Sequence, residues 1–202
     1  MSCLQKRVKN VAVLISGGGT NLQALLDFEA KGGLKGGKIA LVVSSKSDAY
    51  GLVRAQNAGV KTAVVAKKGV ELSQFEASLL SLLKENEIDA VVLAGFLVIL
   101  SPEFVANFKN KIINIHPSLL PSFGGEGFYG LRVHQAVLDS GVKVTGATAH
   151  IVSGEVDRGE ILVQKAVDVK EGDTPQSLQL RVMQEAEWVI LPEALNLILS
   201  KD

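Results

Sequence analysis

The amino-acid sequence predicts an α/β fold, a doubly wound and mostly parallel sheet with helices on both faces. Three observations carry this. Short, uninterrupted apolar runs recur along the first half of the chain, as strands buried on both faces do. Segments with apolar residues at helical spacing lie between them. The chain has 202 residues, 47% of them hydrophobic, which suits one packed domain and excludes a disordered chain.

Residues 11–15, Val-Ala-Val-Leu-Ile, form the first predicted strand, and 39–43, 62–65 and 90–93 repeat the pattern. The intervening helices cover 21–30 (Leu22, Leu25, Leu26, Phe28), 49–58 and 70–85 (Leu72, Phe75, Leu79, Leu80, Leu82, Leu83). Strand and helix in alternation imply right-handed crossovers. Ile112-Ile113 belongs to a further buried strand. Residues 122–130 hold four glycines in nine and read as a mobile loop. A helix is predicted over 131–140, strands over 145–152 and 161–169, and a loop over 153–159. Asp173-Thr174-Pro175 marks a helix start, with the capping residue just before the proline. The closing helix runs to about 199, with Leu178, Val182, Ala186, Val189, Ile190, Leu195 and Ile198 on its packed face. Pro192 is expected to kink or divide it.

Lys+Arg and Asp+Glu both number 21, so the net charge is zero and nothing points to nucleic acid or a membrane surface. Cys3 is the only cysteine, which rules out a disulfide framework or a cysteine metal cluster. The first apolar run is too short for a secretory segment or a membrane span, and a cytoplasmic location is expected.

Chemistry concentrates in three stretches. Asn114-Ile115-His116-Pro117-Ser118-Leu119-Leu120-Pro121 ends a strand. Period-two alternation puts Asn114 and His116 on one side and Ile115 on the other, and Pro117 ends the ladder. In open parallel sheets ligands bind beyond the carboxyl ends of the strands. A polar terminus that merely caps a turn is the alternative. Ser16-Gly17-Gly18-Gly19-Thr20-Asn21 joins the first strand to its helix. Glycines permit close backbone approach, helix N-terminal N–H groups suit an anion, and Thr20 or Asn21 can donate or cap. The run is neither a dinucleotide fingerprint nor a P-loop, so a phosphate monoester site or a plain tight turn remains. Third, Gly146-Ala147-Thr148-Ala149-His150-Ile151-Val152 places Thr148, His150 and Val152 on one face, with Asp157 in the loop that follows. A carboxylate near an imidazole fixes its tautomer and favours its charged form. Taken singly, His150 reads as a satisfied strand histidine, Asp157 as a turn residue and His134 as a packing residue. The spacing of the three histidines matches no metal motif.

Taken together, these stretches resemble glycinamide ribonucleotide formyltransferase, of the folate-dependent formyltransferase family, over nearly the whole chain. Residues 16–23 look like its phosphate loop, 94–101 like a segment lining its folate pocket, 114–121 like its catalytic strand end, and 146–159 like its second catalytic segment. The resemblance implies one Rossmann-like formyltransferase domain over 1–202. Residues 1–100 would be the phosphate-binding half and 101–202 the folate-binding and catalytic half. It implies transfer of the formyl group of 10-formyltetrahydrofolate, the co-substrate, to the amine of glycinamide ribonucleotide in purine biosynthesis, with no metal. Asn114, His116 and Asp157 would be catalytic and His150 supporting. A protonated His116 and the Asn114 amide would donate to the oxyanion while Asp157 holds His116 charged. Gly18, Gly19, Thr20, Asn21 and Glu187 would bind the ribonucleotide. Phe96, Leu97, Val98, Ile99, Leu100, Val152, Ser153 and Gly154 would line the folate site. The partners implied are these two small molecules, for a monomer or homodimer.

The sequence departs from the family pattern at Val98, where arginine is common, and in the longer 122–129 loop. The substrate glutamate is Glu187 counted back from Pro192, or Glu185 counted forward from Arg181. Methionyl-tRNA formyltransferase shares the Asn-x-His element but adds a C-terminal domain. Formyltetrahydrofolate deformylase shares the Gly-Ala-Thr-Ala-His segment but lacks the glycine loop. A non-catalytic nucleotide-binding module would leave Asn114, His116 and Asp157 unexplained.

Overall fold

A computed structural model describes residues 7–201; Cys3 lies outside the described residues. Its core is a seven-stranded sheet in the order β3-β2-β1-β4-β5-β6-β7. The strands are β1 (Lys9–Ile15), β2 (Gly37–Ser44), β3 (Lys61–Val64), β4 (Ile88–Leu93), β5 (Ile112–His116), β6 (Val144–Ile151) and β7 (Ile161–Asp168). The first five are parallel, and β6 and β7 extend the sheet antiparallel.

Helices cover both faces because the strand side chains alternate between two cores. Val11, Val13 and Ile15 pack on one side with α1 (Thr20–Ala30), α2 (Gly51–Asn57), α5 (Leu131–Ser140), α6 (Pro175–Val182) and α7 (Trp188–Ser200). Ala12 and Leu14 pack on the other with α3 (Leu72–Glu85) and α4 (Pro102–Ala106). Strand order reverses between β1 and β4, so the crevice that such sheets offer to ligands opens at the carboxyl ends of these two strands. The 16–19 and 94–101 loops leave from there.

The closing helix departs from expectation. Thr174 caps α6 with a reciprocal capping box to Ser177, and Pro175 takes the first turn, as the sequence predicts. Pro192, however, lies inside α7 without dividing it. The irregularity is a π turn at Met183–Glu187, upstream of the proline. The proline's ring and missing N–H act on the carbonyl four residues earlier, that of Trp188, which lies beyond this turn.

Candidate active site

The strand ends position the reactive side chains. In β5, Ile113 and Ile115 point into the α1–α7 core, which leaves Asn114 and His116 on the opposite side. The antiparallel register sets Asn114 against His150 and His116 against Thr148. The Asn114 amide nitrogen lies 3.2 Å from His150 Nε2. His150 Nδ1 donates to the Ile151 carbonyl at 2.9 Å, and its Nε2 faces both that amide and the Asp157 carboxylate. One of the two Asn114 amide hydrogens stays free for another acceptor.

Asp157 joins this pair from the loop after β6. Its Oδ2 is 3.4 Å from His116 Nδ1 and its Oδ1 is 3.6 Å from His150 Nε2. Its backbone takes φ 55, a left-handed conformation that aspartate and asparagine tolerate better than most residues. Burial raises the Asp157 carboxyl, but the His150 contact, the His116 charge and the Gly125 N–H outweigh it and hold the group below its ordinary value. His116 behaves in the opposite way. It is 4% exposed, and desolvation lowers its imidazole against the pull of Asp157 and the Phe123 carbonyl. Burial thus opposes, and the Asp157 carboxylate and Phe123 carbonyl support, the charged imidazole that the resemblance implies.

The 122–130 loop is docked onto the same groups. His116 Nε2 donates to the Phe123 carbonyl at 2.8 Å, and the Gly125 N–H donates to Asp157 Oδ2 at 2.9 Å. The loop base is set by Thr148, whose Oγ1 donates to the Ser118 carbonyl and accepts from Leu120 N–H and Gln164 Nε2. Thr148 was legible as a same-face neighbour of His150. The two backbone contacts from the glycine-rich loop have no sequence signal.

A cavity of about 590 Å³ runs along the sheet end, within the usual range for small-molecule sites. It brings together Asn114, His116, His150 and Asp157 with the expected folate residues Phe96 to Leu100 and Val152 to Gly154. Val98, at the position of the family arginine, packs half-buried on the α3 and α4 core. Asn21 and Glu187 line the same cavity, whereas Gly18, Gly19 and Thr20 lie outside its lining, at the end of β1 and the start of α1.

The glycine loop reaches α1 through Gly19, which is the N-cap at φ 72 with no side-chain cap. Neither Thr20 nor Asn21 caps the helix. The Asn21 amide instead donates to Glu187 Oε2 at 2.6 Å, and burial raises that carboxyl to about 7 against the pull of the amide. Glu185 is exposed, so the structure places Glu187 in the cavity. The loop is clamped by α2. Gly51 N–H donates to the Gly17 carbonyl, Arg54 Nε donates to the Gly18 carbonyl, and a Cβ on Gly19 would lie 2.7 Å from Gly51 Cα. Gly51 and Arg54 carried no signal in the sequence, since the contact joins distant segments. Among the described residues no group of three or more His, Cys, Asp or Glu is placed to hold a metal ion.

Residues 9–195 match the formyl transferase pattern. The chain belongs to the formyl transferase family. Within it the chain resembles phosphoribosylglycinamide formyltransferases. The Haemophilus influenzae enzyme of that name is 40% identical over 186 residues, covering 92% of this chain and 84% of the relative. The trifunctional purine biosynthetic protein adenosine-3 of Gallus gallus is 45% identical over 198 residues, and this formyl transferase chain spans 19% of that protein's length. A crystal structure of glycinamide ribonucleotide transformylase 1 from Symbiobacterium toebii superposes with a TM-score of 0.90 at 40% identity, covering 98% of this chain and 91% of that one. The Brucella melitensis phosphoribosylglycinamide formyltransferase gives 0.87 at 38% identity, with 98% of each chain covered.

Proposed function

We propose that this formyl transferase moves the formyl group of 10-formyltetrahydrofolate to the amine of glycinamide ribonucleotide, in the cytoplasm. The observation that carries this is one cavity shared by the Asn114–His116–Asp157 cluster and the Asn21–Glu187 pair. A hydrolase needs only a positioned water. A transferase needs its acceptor anchored at a distance from the reacting carbon, which is what the second cluster and the glycine loop would supply.

In this reading the phosphate meets the backbone N–H groups of Gly18 to Asn21, Glu187 accepts from the ribose hydroxyls, and residues 96–100 and 152–154 enclose the folate. Both chain halves therefore contribute to the acceptor site. The amine lone pair attacks the formyl carbon, forming a C–N bond and leaving an oxyanion. The free Asn114 amide hydrogen and His116 Nε2–H donate to that oxygen, the latter exchanging the Phe123 carbonyl for it. The proton leaving the nitrogen passes to the His116–Asp157 pair. Return of that proton to the folate N10 as the C–N10 bond breaks closes the balance. The oxyanion developing beside His116 adds to Asp157 in favouring the charged imidazole against its burial.

Formyl loss from the folate, measured with and without glycinamide ribonucleotide, tests the assignment. Loss is expected to depend on the ribonucleotide, and glycinamide without its ribose phosphate is expected to be a poor acceptor. Equal rates with and without ribonucleotide would favour the deformylase reading.

A further inference from the structure

His134 is unlike the other histidines. It lies on α5 directly after the glycine-rich loop, lines the cavity and is fully buried. Neither ring nitrogen has a hydrogen-bond partner among the described residues. Buried polar groups are normally paired, and leaving a donor and an acceptor unpaired costs stability. Burial, and to a lesser degree His116, pushes the imidazole down to about 4, so the ring is neutral at physiological pH. A neutral imidazole offers one N–H and one lone pair.

That pair of functions suits an amide and does not suit a phosphate. Its place favours the acceptor over the folate. α5 packs against α6, and α6 leads into the π turn that carries Glu187. Gln179 and Met183 line the cavity from that side. A ribonucleotide running from Glu187 to Asn114 and His116 has an uncharged carboxamide between its ribose and its amine. We propose that His134 is a specificity-determining contact for that carboxamide, left unpaired in the free protein and paired when the acceptor binds. This inference rests on the acceptor assigned above.

The test couples activity to stability. His134→Leu fills a similar volume with no polar atom. It is expected to raise the KM for glycinamide ribonucleotide about ten-fold and to leave the KM for 10-formyltetrahydrofolate unchanged. The melting temperature of the free protein is expected to hold or rise, because an unpaired buried group has been removed. His134→Gln, which keeps a donor and an acceptor, should recover part of the acceptor affinity. In the wild-type protein, imidazole ¹⁵N resonances of His134 should move on addition of the ribonucleotide and stay put on addition of folate alone. An unchanged acceptor KM in both variants overturns the proposal, as does a folate-only shift of the ¹⁵N signals. A melting temperature lowered in both variants with normal kinetics would make His134 a packing residue. Failure of the acceptor assignment itself would show in the wild type, as formyl loss independent of ribonucleotide.

Discussion

Asp157 combines a charge and an unusual backbone, and the two can be separated. Its left-handed φ means that Asp157→Ala adds backbone strain of about 1 kcal/mol or more. Asp157→Asn removes the charge and keeps a residue that tolerates the conformation. This variant is expected to lower kcat ~10²- to 10³-fold, in the range for a lost proton-transfer group. Both KM values should stay within a few-fold, as steady-state kinetics would record. Unchanged kcat would remove Asp157 from the reaction. Because Asp157 is the main group raising His116, the imidazole should also titrate lower in this variant, which NMR can follow. The Asn114–His116 side of this cluster was legible from strand alternation. The position of His150 was not, because an antiparallel register between strands 36 residues apart leaves no local trace. The lowering of His116 by burial was likewise hidden, since burial is a property of the fold.

At the scale of elements, the 94–101 loop is a strap held at both ends. Leu97 N–H donates to Ser16 Oγ at 3.0 Å, and Ser16 Oγ meets Ser45 Oγ at 2.7 Å. Ser101 donates twice to the Glu76 carboxylate, through N–H at 2.6 Å and Oγ at 2.7 Å. Between these anchors Leu97 and Ile99 are 56% and 57% exposed, apolar groups presented to a ligand. Glu76 touches no expected substrate position, yet it fixes the strap. Glu76→Ala is expected to raise the folate KM several-fold to ten-fold, a loss of about 1 kcal/mol of ordering. The ribonucleotide KM should change little. Equal shifts in both constants would mean that the strap serves the whole cavity. The strap's apolar run was readable in the sequence, but its anchors were not. The π turn shows the same limit. Counted forward from Arg181 in the family pattern the glutamate is Glu185, two residues short of Glu187, and no local preference announces the wide turn that holds both.

Across the whole molecule, the Asn21–Glu187 contact joins α1 to the last quarter of the chain, 166 residues away. It places a raised carboxyl, at about 7, beside an Asn21 Oδ1 that has no partner among the described residues. The consequence for stability has a definite sign. Between its ordinary 4.5 and about 7, the unfolded chain releases this proton while the folded chain keeps it. The contribution of Glu187 is thus most favourable below 4.5, declines as pH rises to about 7, and is constant above. The decline amounts to about 3 kcal/mol as an order of magnitude. Asp157, held low, acts with opposite sign, its contribution being lost as pH falls through its folded-state value. Glu187→Gln should remove most of the difference in denaturant stability between pH 5 and pH 8 that runs against the folded state. The same titration is expected to govern binding of the proposed acceptor. A neutral acid accepts poorly from two ribose hydroxyls, whereas a carboxylate accepts well and is itself stabilised by them. The KM for ribonucleotide is therefore expected to fall as pH rises through about 7, while the folate KM stays level. Glu187→Gln should raise the ribonucleotide KM about ten-fold or more and flatten its pH dependence. Parallel pH curves in the wild type and the variant would place the titrating group elsewhere and detach Glu187 from the acceptor.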